Sequence, residues 1–216
     1  MFWEVTLELA KGFSTSLSLF VLTLLFSLPL GLIMMFALRS KIKPIKIAME
    51  GIVLVIRGTP LMLQLLIVFF VPGILWGSVI FSHNRFLAAL VTFTVNYAAY
   101  FAVIYKGGFE SIPRGQFEAG QVLGLSRRQI FQKIILLQII KQIMAPMSNE
   151  VITLVKDTSL VRVIAVVEII KVAERYTARG LIWPLFYTGA FYLIFSTLLS
   201  VLFNYLEKKL AYFETI

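Results

Sequence analysis

No cysteine occurs in the 216 residues, which removes disulfides, thiolate metal sites and cysteine nucleophiles together. Histidine is almost as scarce. The one present, His83, stands in "FSHNRF" between apolar runs and reads as a loop histidine, because a metal site needs several partners. No histidine lies beside a serine inside an apolar run, so an intramembrane hydrolase lacks its constellation. Charge is also thin, at 14% of residues where soluble domains carry about a quarter. The scarcer sign is negative, with 11 acidic against 20 basic residues. The N-terminal "MFWEVTLELAKG" has Glu4 and Glu8 where a secretory signal carries positive charge, and the apolar run after it is too long for a signal core. No cleavage is expected. Phe2, Trp3, Val5, Leu7 and Leu9 suggest a short interfacial segment before the first span.

What fills the chain instead is apolar sequence: 59% hydrophobic residues and a mean hydropathy of +0.90. A spanning helix needs about 20 mainly apolar residues. Five stretches qualify, at about 12–38, 47–71, 86–105, 139–170 and 181–206. The first contains Pro29 and Gly31, which are expected to bend it, and the second crosses "RGTP" before ending at Pro72. The Gly73 and Gly77 spacing in "PGILWGS" resembles a helix-packing motif but falls at a span end, where a turn is expected. The fold class is therefore all-α: one polytopic membrane domain, 1–216, with five transmembrane helices and no room for a separate soluble unit.

An excess of Lys and Arg can mark nucleic-acid binding or membrane topology, and five spans put the termini on opposite sides. One side receives Arg39, Lys41, Lys43 and Lys46, then Lys106, Arg114, Arg127, Arg128, Lys133 and Lys141, then Lys208 and Lys209. The other receives only Lys11, Arg85, Lys171, Arg175 and Arg179. The positive-inside rule places the N-terminus outside and the 106–138 loop and C-terminus in the cytoplasm, and no nucleic-acid partner is needed to explain the charge. Arg57, Lys156 and Arg162 remain inside apolar stretches.

The loop itself has a shape. Ser111 and Pro113 suit a first helical turn, Gly124 a left-handed helix end, and Ser126 with Gln129 a capping box for a second helix. Within it "EAGQVLG", from Glu118 to Gly124, sets a carboxylate and small residues at a tight turn, a compact knob able to enter a groove on another protein.

Several segments together resemble the membrane subunits of bacterial ABC importers for polar amino acids. They are "EAGQVLG", "RGTPLMLQ" at 57–64, "YKGGFESIPRGQ" at 105–116 and "NEVITLVKDTSL" at 149–160. They recur in order across about three quarters of the chain. The pattern departs from that family at Gly120, where a second alanine is usual, at Val103, where a Glu is common, and at Leu137 in "LLQ", where Leu-Pro-Gln is usual. The Val103 departure bears on specificity and the Leu137 departure on the bend that closes the loop. The resemblance implies a permease in the inner membrane, with two ATP-binding subunits, a second copy of itself or a related permease, an extracytoplasmic binding protein and membrane lipid as partners. It implies ATPase coupling through Glu118, Ala119, Gly120, Gly124, Leu125 and Arg127, with ATP and magnesium held by the ATPase and no cofactor on this chain. The chain has no phosphate loop of its own, since the Gly115 and Gly120 spacing is followed by Gln121 and Val122 rather than Gly-Lys-Ser/Thr.

Polar residues at membrane depth cost at least about 2.5 kcal/mol when charged, so they face a cavity or one another. Glu150, Thr153 and Asp157 share one stripe of the fourth span, flanked by Asn149 and Lys156. Arg57 and Gln64 are seven apart in the second span, with Pro60 between them freeing a carbonyl near Ile56. Asn96 and Tyr100 share a face of the third, with Tyr97 adjacent. Arg57, Gln64, Asn96, Tyr97, Tyr100, Glu150, Thr153, Lys156 and Asp157 form the expected substrate pocket. Arg57 suits a carboxylate and Glu150 an ammonium, and the spare negative charge favours arginine, lysine or histidine, with glutamine as the alternative. Lys156 and Asp157 can instead neutralise each other. A self-contained ion-coupled transporter is the competing class that Glu150 and Asp157 also suit.

Overall fold

The unbroken apolar run after Phe2 forms a helix of 37 residues, α1 (Phe2–Leu38), that continues through Pro29. The structure is a computed structural model and describes residues 2–78 and 80–210. Met1, Val79 and 211–216 lie outside the described residues, and with them both ends of the expected 1–216 domain, including the cytoplasmic C-terminus. At 1.5 Å per residue α1 measures about 55 Å, well beyond a hydrocarbon core of about 30 Å. The expected interfacial segment is thus not separate: it is the first turns of α1. Val5 and Leu9 there are buried against Ile169, Val172 and Ala173, and Phe2 stacks on Trp183 at 4.9 Å, so one face packs on protein while Trp3 and Leu7 stay exposed.

The remaining helices follow as α2 (Lys43–Gly58), α3 (Leu61–Trp76), α4 (Ile80–His83), α5 (Arg85–Glu110), α6 (Arg114–Val122), α7 (Arg127–Ile130), α8 (Leu136–Asp157), α9 (Ile169–Thr177) and α10 (Trp183–Leu210). A π-helical turn, Phe131–Ile135, joins α7 to α8, and a 3-10 turn, Thr158–Ile164, follows α8. Four of these units are long and apolar enough to cross a membrane: α1, α5, the continuous Arg127–Ile164 and α10. The fifth expected span is α2 and α3 together, bent by 105° at Thr59 and Pro60. The expected fourth span, about 139–170, ends earlier than read from hydropathy. Its last two residues, Ile169 and Ile170, open α9, whose N-terminal N–H groups are capped by the buried Glu168 carboxylate at 2.8 and 2.7 Å. Arg162, left inside an apolar stretch by the sequence, pairs with Glu174 of α9 at 2.6 Å. Of the Gly73 and Gly77 spacing, expected as a turn, Gly73 lies in the last part of α3 and only Gly77 turns, ending the helix in the left-handed region at φ 61°. His83 ends the one-turn helix α4, and among the described residues no group of three metal-ligating side chains occurs.

The frame is the α1–α5 pair, the most extensive helix contact in the molecule. Along α1 the buried positions include Thr23, Ser27 and Gly31, small residues four apart, while Gly12, nearer the N-terminus, packs on Ile169 of α9. On α5 they include Ala88, Ala89, Ala98, Ala99 and Ala102. Lipid offers no hydrophobic penalty to drive helices together, so close backbone approach and dispersion do the holding, and small residues permit both. Gly31, expected to bend α1, serves this packing: a Cβ there meets Phe101 Cβ at 2.9 Å and the Ala98 carbonyl at 3.0 Å. Replacing Gly31 by Val is expected to destabilise the protein by about 1–3 kcal/mol through overpacking, or more if the pair cannot separate. Thermal unfolding in detergent checks this; an unchanged melting temperature contradicts it.

Candidate functional site

The break between α2 and α3 is set by Pro60. Having no N–H, it leaves the carbonyl of Ile56 without its helical partner, and it holds Thr59 extended at φ −118°, ψ 147°. The Gln64 side chain fills the gap. Its Nε2 donates to the Ile56 carbonyl at 2.7 Å and lies 3.1 Å from the Thr59 carbonyl and 2.9 Å from Thr59 Oγ1. The Thr59 hydroxyl in turn donates to the Val55 carbonyl at 2.8 Å. Gln64 Oε1 accepts from Asn96 Nδ2 at 3.0 Å, tying the bend to α5, where Asn96 is buried. An amide has two N–H bonds, and both are taken up here. Gln64, expected to touch substrate, is therefore committed to the backbone of the bend.

Beside the bend lies a polar cavity of about 220 Å3, lined by Thr59, Leu61, Asn96, Tyr97, Tyr100, Glu150, Thr153 and Asp157. Six of the nine residues expected at the pocket meet here, from α5 and α8. The stripe on α8 presents Glu150, Thr153 and Asp157 as its helical spacing requires. Asp157 Oδ2 accepts from the Tyr97 hydroxyl at 2.7 Å, and that ring is almost wholly buried. Asp157 thus pairs with Tyr97 across helices, and Lys156 is exposed and outside the cavity lining. Glu150 lies within electrostatic reach of Arg57 and Asp157.

Arg57 is the third expected residue outside this cavity. Its guanidinium sits over the Tyr100 ring, 5.0 Å from the centroid, and borders a second cavity of about 440 Å3 with Glu50, Val53, Val103 and Lys106. Tyr100 borders both cavities. Sequence reasoning missed Thr59 and Leu61, which the bend itself delivers, and the second cavity, which pairs two helices far apart in sequence. "RGTP" is the signal that carried the first of these, since the residue before a proline is held extended.

The 106–138 segment folds largely as expected. Lys106–Glu110 completes α5, and α6 and α7 form a helical hairpin. Gly124 is left-handed at φ 73°, and Leu125 N donates to the Gly120 carbonyl and Gly124 N to that of Gln121, closing α6. The Ser126 and Gln129 capping box is complete. Glu118, Ala119 and Arg127 are exposed, together with Val122 at 88% and Leu123 at 76%. Leu125 is partly buried, against Ile130 and its neighbours. Gly120 faces inward, where a Cβ would meet Ile130 Cγ1 at 2.7 Å, so its departure from alanine concerns packing within the hairpin. Phe131 stacks on Phe109 at 6.3 Å and Arg39 lies 4.7 Å from the Phe109 centroid, joining the hairpin to the ends of α5 and α1. At Leu137 the helix is continuous, and the local irregularity is the π-helical turn just before it.

This bundle, with a polar cavity and an exposed hairpin at one end, was compared with known proteins. The family described as binding-protein-dependent transport system inner membrane component matches residues 10–212. The chain belongs to that family. Transport in it is powered by a partner ATPase, which displaces the self-contained ion-coupled class, and the chain is accordingly a multi-pass inner-membrane component. Over 97% of its length it is 34% identical to the L-cystine transport system permease protein TcyB of Bacillus subtilis, covering 88% of that protein. It is 33% identical to the arginine ABC transporter permease protein ArtM of Haemophilus influenzae, over 99% of this chain and 97% of that one. A crystal structure of an amino acid ABC transporter with histidines superposes with a TM-score of 0.86 at 28% identity, covering 96% of each chain.

Replacing Gln64 by Ala strips partners from the Ile56 carbonyl and from Asn96. The expected cost is about 1–3 kcal/mol per buried group left unpaired. Thermal unfolding in detergent measures it; a Gln64→Ala protein as stable as the parent contradicts this account of the bend.

Proposed function

We propose that this permease imports basic amino acids, arginine, lysine or histidine, through the cavity at Tyr97, Tyr100, Glu150 and Asp157. The observation that carries the reading is the charge of that lining: two carboxylates and no cationic side chain. A partly buried negative site of this kind favours a substrate with a second positive group. Thr153 and Asn96 supply neutral hydrogen-bonding groups beside the carboxylates. The arginine permeases of Haemophilus influenzae and Bacillus subtilis among its relatives support the class. A second reading, a neutral polar amino acid such as glutamine or cystine, draws on the bond that already occupies Asp157 and on the cystine and glutamine permeases among its relatives. Glu150→Gln separates the two. Under the basic reading it lowers the preference for arginine over glutamine by about ten-fold or more in uptake, the scale of a lost charge-assisted bond; an unchanged preference contradicts the assignment.

The hairpin is proposed as the seat of the ATP-binding subunits, two per complex. Glu118, with Ala119 and Arg127 around it, offers charge beside the exposed apolar Phe117, Val122 and Leu123, the mixture found at protein contacts. Gly120, Gly124 and Leu125 hold the hairpin's shape beneath it. Partners on the other faces are a second copy of this chain or a related permease and an extracytoplasmic binding protein. The exposed apolar face of α10, with Phe186, Ile194, Leu198 and Val201, is left for lipid or the second permease. The orientation is N-terminus outside, hairpin and C-terminus in the cytoplasm. Because Glu118 is solvent-exposed, Glu118→Ala is expected to leave the fold intact while ATP-driven uptake falls about ten-fold or more, as for a contact residue central to an interface. Uptake and copurification of the ATPase with the variant permease test this; parental values for both contradict it.

A further inference from the structure

The expected single pocket is two cavities, and their charges differ. The first holds Glu150 and Asp157 without a cation. The second holds Arg57 and Lys106 facing Glu50. Both carry sides of the same bend, Gly58 bordering the second and Thr59 the first. The second also reaches Leu38 and Lys106, the ends of α1 and α5 that lie toward the coupling hairpin. It is therefore the station nearer the hairpin side.

Among the described residues Arg57 has no carboxylate at ion-pair distance: it sits over the Tyr100 ring and acts on Glu150 only from a longer distance. Lys106 and Glu50 have partners, but loose ones: Glu110 at 3.9 Å and Lys46 at 3.8 Å, both pairs within one helix and substantially exposed. Such pairs are given up at little cost. A cavity with one uncommitted guanidinium, one weakly held ammonium and one weakly held carboxylate complements the backbone groups of a free α-amino acid. The first cavity cannot offer the α-carboxylate a cation, and the nearest one lies past Tyr100.

We infer that the second cavity is an exit subsite for the amino acid, in which Arg57, assisted by Lys106, takes the α-carboxylate once the Tyr100 ring moves aside. Arg57 and Tyr100 then act as the inner gate, the guanidinium leaving the ring for the carboxylate as the substrate passes. This rests on the reading of the first cavity as the substrate site, and the two are separable by experiment.

The test uses the complete importer, permease with ATPase and binding protein, in liposomes and in detergent. Labelled arginine is the probe, with glutamine used in the same way if glutamine is what the parent complex retains. Equilibrium retention of the amino acid reports the first cavity, and the maximal rate of ATP-driven uptake reports passage. Arg57→Gln is expected to slow uptake by about ten-fold or more while retention stays within about two-fold, with Arg57→Lys restoring most of the rate and Lys106→Gln slowing it less. Glu150→Gln is expected to weaken retention itself. Loss of retention in Arg57→Gln, matching Glu150→Gln, overturns the exit subsite and returns Arg57 to a single pocket. Parental uptake in Arg57→Gln overturns it as well. An unchanged arginine preference in Glu150→Gln overturns the substrate reading alone, because the split between rate and retention at Arg57 is read with whichever amino acid is held.

Discussion

One missing N–H shapes the polar cavity of the bundle. Because Pro60 cannot donate to the carbonyl of Ile56, the apolar run from α2 into α3 cannot continue as a helix, and it turns by 105°. A carbonyl left bare in hydrocarbon costs several kcal/mol, so a bend at membrane depth persists only where side chains re-satisfy it. Gln64 does so from inside the fold, and through Asn96 it fastens the bend to α5. The cavity follows from that geometry, since the angle between α2 and α3 brings Thr59 and Leu61 beside the polar faces of α5 and α8.

A bend held this way needs a rigid neighbour. The α1–α5 pair supplies it through glycine, alanine and serine rather than through large side chains, because in a bilayer contact distance replaces water exclusion as the source of cohesion. The same economy explains why α10 is so exposed within a single chain. Its apolar surface is at home against lipid or another permease, whereas α1 and α5 bury their small residues against each other.

Hydropathy pointed to the four described helices long and apolar enough to cross a membrane and to the bent pair α2 and α3, and turn chemistry located the hairpin: Gly124 and the Ser126–Gln129 box have the conformations their residue types demand. Helical spacing also brought Glu150, Thr153 and Asp157 to one cavity with Asn96, Tyr97 and Tyr100. The misreadings share a cause. Gln64, Lys156 and Arg57 were grouped with that cavity because of their polarity, and polarity alone does not say which partner a side chain finds. Gln64 meets a backbone carbonyl that only the bend exposes, Arg57 an aromatic face, and Lys156 lies on an exposed face of α8, outside the cavity. The amphipathic start of α1, expected as a short interfacial segment, is continuous with the first span, and α9 and α10, more than 160 residues later, pack on one face of it.

The arrangement also constrains how energy applied at the hairpin reaches the cavity. Helix α8 grows directly out of the hairpin and carries Glu150 and Asp157 some distance along. Helix α5 ends at the hairpin, gripped by the Phe109–Phe131 stack, and carries Tyr97 and Tyr100 about 15 Å back along its axis. Both walls are thus continuous helices attached to the element proposed to meet the ATPase. The third wall, α2 and α3, does not run into the hairpin: it packs on α1 and α5 through the buried Val53 and Leu65 and is tied to α5 by the Gln64–Asn96 bond. Two walls are thus joined to the hairpin directly and the third only through its packing on them and on α1. Tyr100 then matters by position, since it stands on the driven helix while Arg57, resting on its ring, stands on the other side of the bend. A displacement of α5 relative to α2 separates this pair first, because a cation over an aromatic face at a partly exposed site is worth only about 0.5–1 kcal/mol.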